Sequence, residues 1–98
     1  MSWEHHKEAL SKGEKVQFRP RGNSMKPKIE SGQQVTVSPD VDSLTEGDIV
    51  FCKVKGKFYV HLIKAIEGDR YQIGNNRGGI NGWVSKDAIF GKVTQVED

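Results

Sequence analysis

Apolar and polar positions alternate along most of this chain, and only its first dozen residues follow a helical period. Trp3, His6 and Leu10 recur at helical spacing ahead of Gly13, Ser2 is placed to accept backbone N–H groups as an N-cap, and Glu4 sits at the positive end of the first turn. The pattern predicts one short amphipathic helix over about residues 3 to 12. Beyond it the chain reads as strand and turn. Val16-Gln17-Phe18-Arg19 ends at Pro20, and Gln34-Val35-Thr36-Val37-Ser38 alternates until Pro39. Residues 49 to 64 form two β-branched and aromatic runs joined at Lys55-Gly56, the signature of a long hairpin. Its second strand puts Phe58, Val60 and Leu62 on one face and Tyr59, His61 and Ile63 on the other, because strand side chains alternate. Glu67-Gly68-Asp69 turns the chain into Arg70-Tyr71-Gln72-Ile73, and the stretch from Asn75 to Gly82 reads as a glycine and asparagine loop. Short strands near Trp83-Val84 and from Ile89 to Val96 complete the pattern. The expected fold is mainly β: a coiled antiparallel sheet or small β-barrel with one short N-terminal helix. Residues 1–14 form a helical extension in this reading, and residues 15–98 the β domain.

A chain of 98 residues suits one module with one modest core. Its 35% hydrophobic and 29% charged residues match a soluble globular domain. No apolar run approaches the roughly 20 residues a membrane helix needs. The start, Met1-Ser2-Trp3-Glu4-His5-His6-Lys7, has acid and histidine where a secretory signal has a basic and then an apolar segment, so the expected location is cytoplasmic, without a membrane partner. The single cysteine, Cys52, forms no internal disulfide and lies in a strand-like run, where a thiol packs as core. Net charge is only +2, but it is unevenly distributed. Lys12, Lys15, Arg19, Arg21, Lys26 and Lys28 face one acid, Glu14, whereas Asp40, Asp42, Glu46 and Asp48 stand together without a base. Solvated edges of opposite sign are the plain reading. The sharper one is a basic surface that, with Phe18, Phe51, Tyr59 and Tyr71, would bind single-stranded nucleic acid. His5-His6 beside Glu4 falls short of the three or four convergent ligands a transition metal needs, so neither a metal nor another cofactor is expected. Trp3 and Leu10 are expected to pin the helix to the sheet.

The chemistry concentrates in Arg21-Gly22-Asn23-Ser24-Met25-Lys26-Pro27-Lys28-Ile29. Gly22 permits a tight backbone before Ser24, Pro27 fixes the chain after it, and backbone N–H groups beside a turn serine can hold a developing oxyanion. A serine hydroxyl is a poor nucleophile without a neighbouring base, for which histidine and neutral lysine are the candidates.

Gly22-Asn23-Ser24-Met25-Lys26-Pro27 resembles the Gly-x-Ser-Met-x-Pro box of the signal-peptidase and SOS-repressor serine proteases. Gly47-Asp48-Ile49-Val50-Phe51, Tyr59-Val60-His61-Leu62-Ile63 and Ile89-Phe90-Gly91-Lys92-Val93 resemble, in the same order, three later boxes of that superfamily. The resemblance runs from about Arg21 to Val93. It implies a peptidase in which Ser24 attacks a peptide carbonyl and His61, at the position of the histidine base of the archaeal and endoplasmic-reticulum type, relays the proton. Gly22, Asn23, Met25 and Pro27 would shape the substrate cleft and oxyanion site. The acids that orient the base in histidine-type relatives are replaced: the Gly-Asp-Asn box reads Gly74-Asn75-Asn76, and the later aspartate falls on Asn81. Asn75 and Asn81 are therefore the candidate orienting residues. Asp69 and Asp87 are alternative carboxylates, and Lys64 is a weaker alternative base. Neither Ala-Gly nor Cys-Gly, the pairs at which repressors of this type cut themselves, occurs in residues 1 to 20.

Three readings follow: an endopeptidase acting on a peptide or protein substrate, a silent module that binds or dimerises through an edge strand, and a nucleic-acid surface. The third is the least supported.

Overall fold

A computed structural model describes residues 3–20, 25 and 28–98. Ser2, Arg21, Gly22, Asn23, Ser24, Lys26 and Pro27, all used above, lie outside these described residues. The elements run α1 (Trp3–Ser11), β1 (Val16–Phe18), β2 (Gln34–Ser38), β3 (Ile49–Val54), β4 (Lys57–Glu67), β5 (Arg70–Gly74), β6 (Ile80–Ser85), a 3-10 turn (Lys86–Ala88) and β7 (Ile89–Glu97).

The strands form one antiparallel sheet in the order β1-β2-β7-β3-β4-β5-β6. Of the two expected forms it is the open coiled sheet and not the barrel, because β1 and β6 remain its edges. The hairpin β3–β4 closes on Val54↔Lys57 around Lys55 and Gly56. Both turn residues have positive φ, 51° and 84°, the geometry whose twist matches the flanking strands.

Alternation along β3 and β4 separates two clusters. Phe51, Val60 and Leu62 join Leu10, Met25, Ile29, Val35 and Val37 in one, against which Trp3 and Phe58 pack. Val50, Cys52, Val54, Ile63, Ile73 and Ile89 form the other, with Tyr59 at its margin. Cys52 is fully buried, and burial pushes its thiol pKa up to about 12.

The predicted loop from Asn75 to Gly82 is shorter than expected, because β6 already begins at Ile80. Its register with β5 breaks between Ile73↔Gly82 and Gly74↔Ile80, so Asn81 is the extra residue of a β-bulge. A bulge leaves its residue unpaired and redirects the side chain. The same device occurs in β4, where Ile63↔Ile73 and Ala65↔Gln72 leave Lys64 as the extra residue.

Candidate active site

His61 stands in the middle of β4, paired across to Val50, and only 6% of it is exposed. Its Nδ1 lies 2.6 Å from Asn81 Oδ1, a contact made possible by the bulge that turns Asn81 off its own strand. An amide oxygen can only accept, so Nδ1 carries the proton and donates it, which makes Nε2 the basic nitrogen. Burial lowers the His61 pKa below the ordinary 6.5, and the hydrogen bond to Asn81 works in the opposite sense. Tyr59, two residues back on the same face, places its ring 4.7 Å from the imidazole.

Asn75 has a different task. Its Oδ1 accepts the backbone N–H groups of Arg77 and Gly79, both at 2.8 Å, and its own N–H donates to Gly79 O at 2.9 Å. These bonds close the 75–79 loop. Lys64 Nζ donates to Asn75 O at 2.9 Å and so holds the same loop. Of the two candidate amides, Asn81 bonds the imidazole while Asn75 shapes the loop, and both border one cavity of about 390 Å³.

That cavity also brings Met25, Ile29, Trp3 and Phe58 to His61. Met25, singled out in the sequence as a cleft residue, is 5% exposed and accepts the backbone N–H groups of Lys28 and Ile29, at 2.8 and 3.1 Å. Gly22, Asn23, Ser24 and Pro27, the other sequence-chosen residues of this box, fall outside the described residues. Sequence reasoning assigned Trp3 to packing alone. Its indole does pack, 5.4 Å from the rings of both Phe18 and Phe51, but another part of it faces the cavity. The helical spacing of Trp3 carried no signal for that second role, which depends on where α1 docks. Phe51, proposed as one ring of a nucleic-acid surface, is fully buried and offers no face to a base.

Among the described residues no group of three or more histidines, cysteines or acids converges as a metal site would require, and no helix is long and apolar enough to cross a membrane. Residues 5–93 match the family model described as Peptidase S24-like. No curated protein is similar enough to the chain to count as a match.

Proposed function

The chain belongs to the Peptidase S24-like family, and on that premise we propose that it is a serine endopeptidase that hydrolyses extended peptide segments, with Ser24 as nucleophile and His61 as base. The observation that carries the proposal is the state of His61. It is buried, its pKa is lowered by that burial, and Asn81 fixes it in one tautomer in the wall of a cavity that Met25, the residue after Ser24, also lines.

In this mechanism Ser24 Oγ attacks the peptide carbonyl carbon and its proton passes to His61 Nε2. The Ser24 backbone N–H helps hold the oxyanion in this mechanism, a task that the family resemblance shares with Gly22, Asn23 and Pro27. As the C–N bond breaks, His61 returns the proton to the leaving amine. Water then repeats the two transfers to release the acid. Asn81 orients the imidazole but brings no negative charge to the imidazolium that forms, so turnover is expected to be slow relative to a site with a carboxylate there.

A second reading, a silent peptide-binding module, is favoured by one specific feature, the amides at Asn75 and Asn81. Mass spectrometry of a diverse peptide mixture incubated with the protein, and with Ser24→Ala and His61→Ala, separates the two readings. The peptidase reading expects products that fall about 10³-fold or more in either variant. Identical product patterns from all three proteins would leave the binding module. The rate should rise with pH as His61 loses its proton, with a midpoint below 6.5, because burial lowers the pKa from that value.

A further inference from the structure

Among the described residues, the cavity beside His61 lies along a stretch of strand edge. β4 pairs with β5 only from Leu62↔Gly74 to Glu67↔Arg70, so Phe58 to His61 lie outside that pairing. In a two-residue hairpin the closing pair, here Val54↔Lys57, exchanges hydrogen bonds. Tyr59 and His61 therefore direct their backbone groups to β3, as Ile63 does in bonding Gly47 N and Asp48 O at 2.8 and 2.9 Å. Phe58 and Val60 direct theirs to the opposite edge, where the cavity is.

An extended peptide added to that edge sends alternate side chains to opposite sides of the sheet. The two sides differ here. One carries Tyr59, His61 and Asn81; the other is made of Trp3, Met25, Ile29, Phe58 and Val60. Among the described lining residues none carries a formal charge while His61 is neutral, so the cavity complements an uncharged side chain. Its volume, about 390 Å³, lies within the range of about 300–1,000 Å³ typical of pockets that enclose ligands.

We infer that the apolar wall is a subsite for a large apolar side chain, aromatic or branched aliphatic, of a peptide laid along the edge of β4. Trp3, supplied by the N-terminal helix, is the residue that selects it. The inference rests on the peptide-binding part of the function proposed above. Trp3 suits the task because it is already held in place: its ring lies near-parallel to Phe58, 12° apart at 6.3 Å, and against Phe18 and Phe51. Lys53 fastens the same corner, with Nζ 4.9 Å from the Phe58 ring centre and 3.5 Å from Glu4 Oε2. A rigid apolar wall loses little conformational freedom on binding, whereas an alanine in this space would leave indole and phenyl surface in water.

The chain has two tryptophans, so Trp83→Phe, a change at the exposed edge strand β6, leaves Trp3 as the sole tryptophan, excited apart from the tyrosines at the red edge of the absorption band. Short extended peptides carrying phenylalanine, leucine or alanine at one central position are titrated against that protein. The expected result is binding about tenfold or more tighter for phenylalanine and leucine than for alanine, with a change in Trp3 emission. Measured by anisotropy of labelled peptides, Trp3→Ala should bring the ratio to within about twofold, and Trp3→Phe should restore most of it. Should Trp3→Ala fail to fold, the fluorescence titration decides alone. A ratio near one, unchanged Trp3 emission, or no binding of any peptide overturns the inference. Cleavage assays on the same peptides separate the two claims. Ser24-dependent cleavage that favours alanine sinks the subsite and leaves the peptidase, whereas phenylalanine-selective binding without Ser24-dependent cleavage sinks the peptidase and leaves the subsite.

Discussion

At the scale of single residues, the contact between His61 and Asn81 decides how much chemistry this site can do. The 2.6 Å bond fixes the tautomer, which is half of what an aspartate does for such a histidine. The other half is charge. Asn81→Asp places an anion against the imidazole, and an opposite charge at that distance favours the protonated ring. The His61 pKa, lowered by burial in the unaltered protein, should therefore rise. In a peptidase assay the acid limb of the pH–rate profile should move to higher pH. The rate on the high-pH plateau, compared between the two proteins, should increase about tenfold or more. A profile that does not move would mean that residue 81 leaves the imidazole when it carries a charge. Asn75→Asp gives the contrast. Its Oδ1 receives Arg77 and Gly79 N–H groups, so an acid there should keep the loop bonds and leave the limb nearly where it was.

At the scale of elements, the close approach of β7 to its sheet neighbour β2 and to α1 is an exacting joint. A Cβ on Gly91 would stand 2.5 Å from Val37 Cγ1 and 2.7 Å from Ser38 O, with Leu10 Cδ2 at 3.2 Å. Backbone and fully packed side chain cannot yield there, so Gly91→Ala should cost about 1–3 kcal/mol. Urea unfolding should show the midpoint falling with the slope unchanged. The elements themselves were legible. The helix, the β3–β4 hairpin and the two faces of β4 follow from period and turn residues alone, because burial on one face must repeat with the geometry of the backbone. The bulges were not. Asn81 lies among glycines and asparagines that read as loop, and nothing local says that Ile80 to Gly82 pairs with β5 and leaves residue 81 extra. Candidate chemistry divided in the same way. His61 could be placed on a strand face by counting, but its partner depends on register between β5 and β6, a long-range property. Trp3 was legible as an apolar helix residue. Its place at the cavity depends on how α1 packs against Phe18, Phe51 and Phe58.

At the scale of the whole molecule, two histidines on different elements, His6 on α1 and His61 on β4, make folding pH-dependent in the same direction. His61 is buried in β4, and His6, 8% exposed, stacks on Phe18 with ring centres 4.5 Å apart. Burial lowers both pKa values below 6.5, with His5 adding to the effect at His6. The unfolded chain therefore takes up protons near pH 6.5 that the folded chain still refuses, and stability must rise with pH wherever the unfolded state holds more protons. The contribution is complete above pH 6.5. It declines as pH falls through that value, and stops changing once the pH is below both folded pKa values. Carboxylates add their own slope in more acid solution, so the informative quantity is a difference. Subtracting the urea-derived stability of a His6→Gln/His61→Gln double variant from that of the unaltered protein should leave a curve flat above pH 7 and falling toward pH 5. Each single variant should remove part of the fall. A difference that stays flat across this range would show that the folded protein accepts these protons as readily as the unfolded chain does, and that neither ring is held neutral by its surroundings.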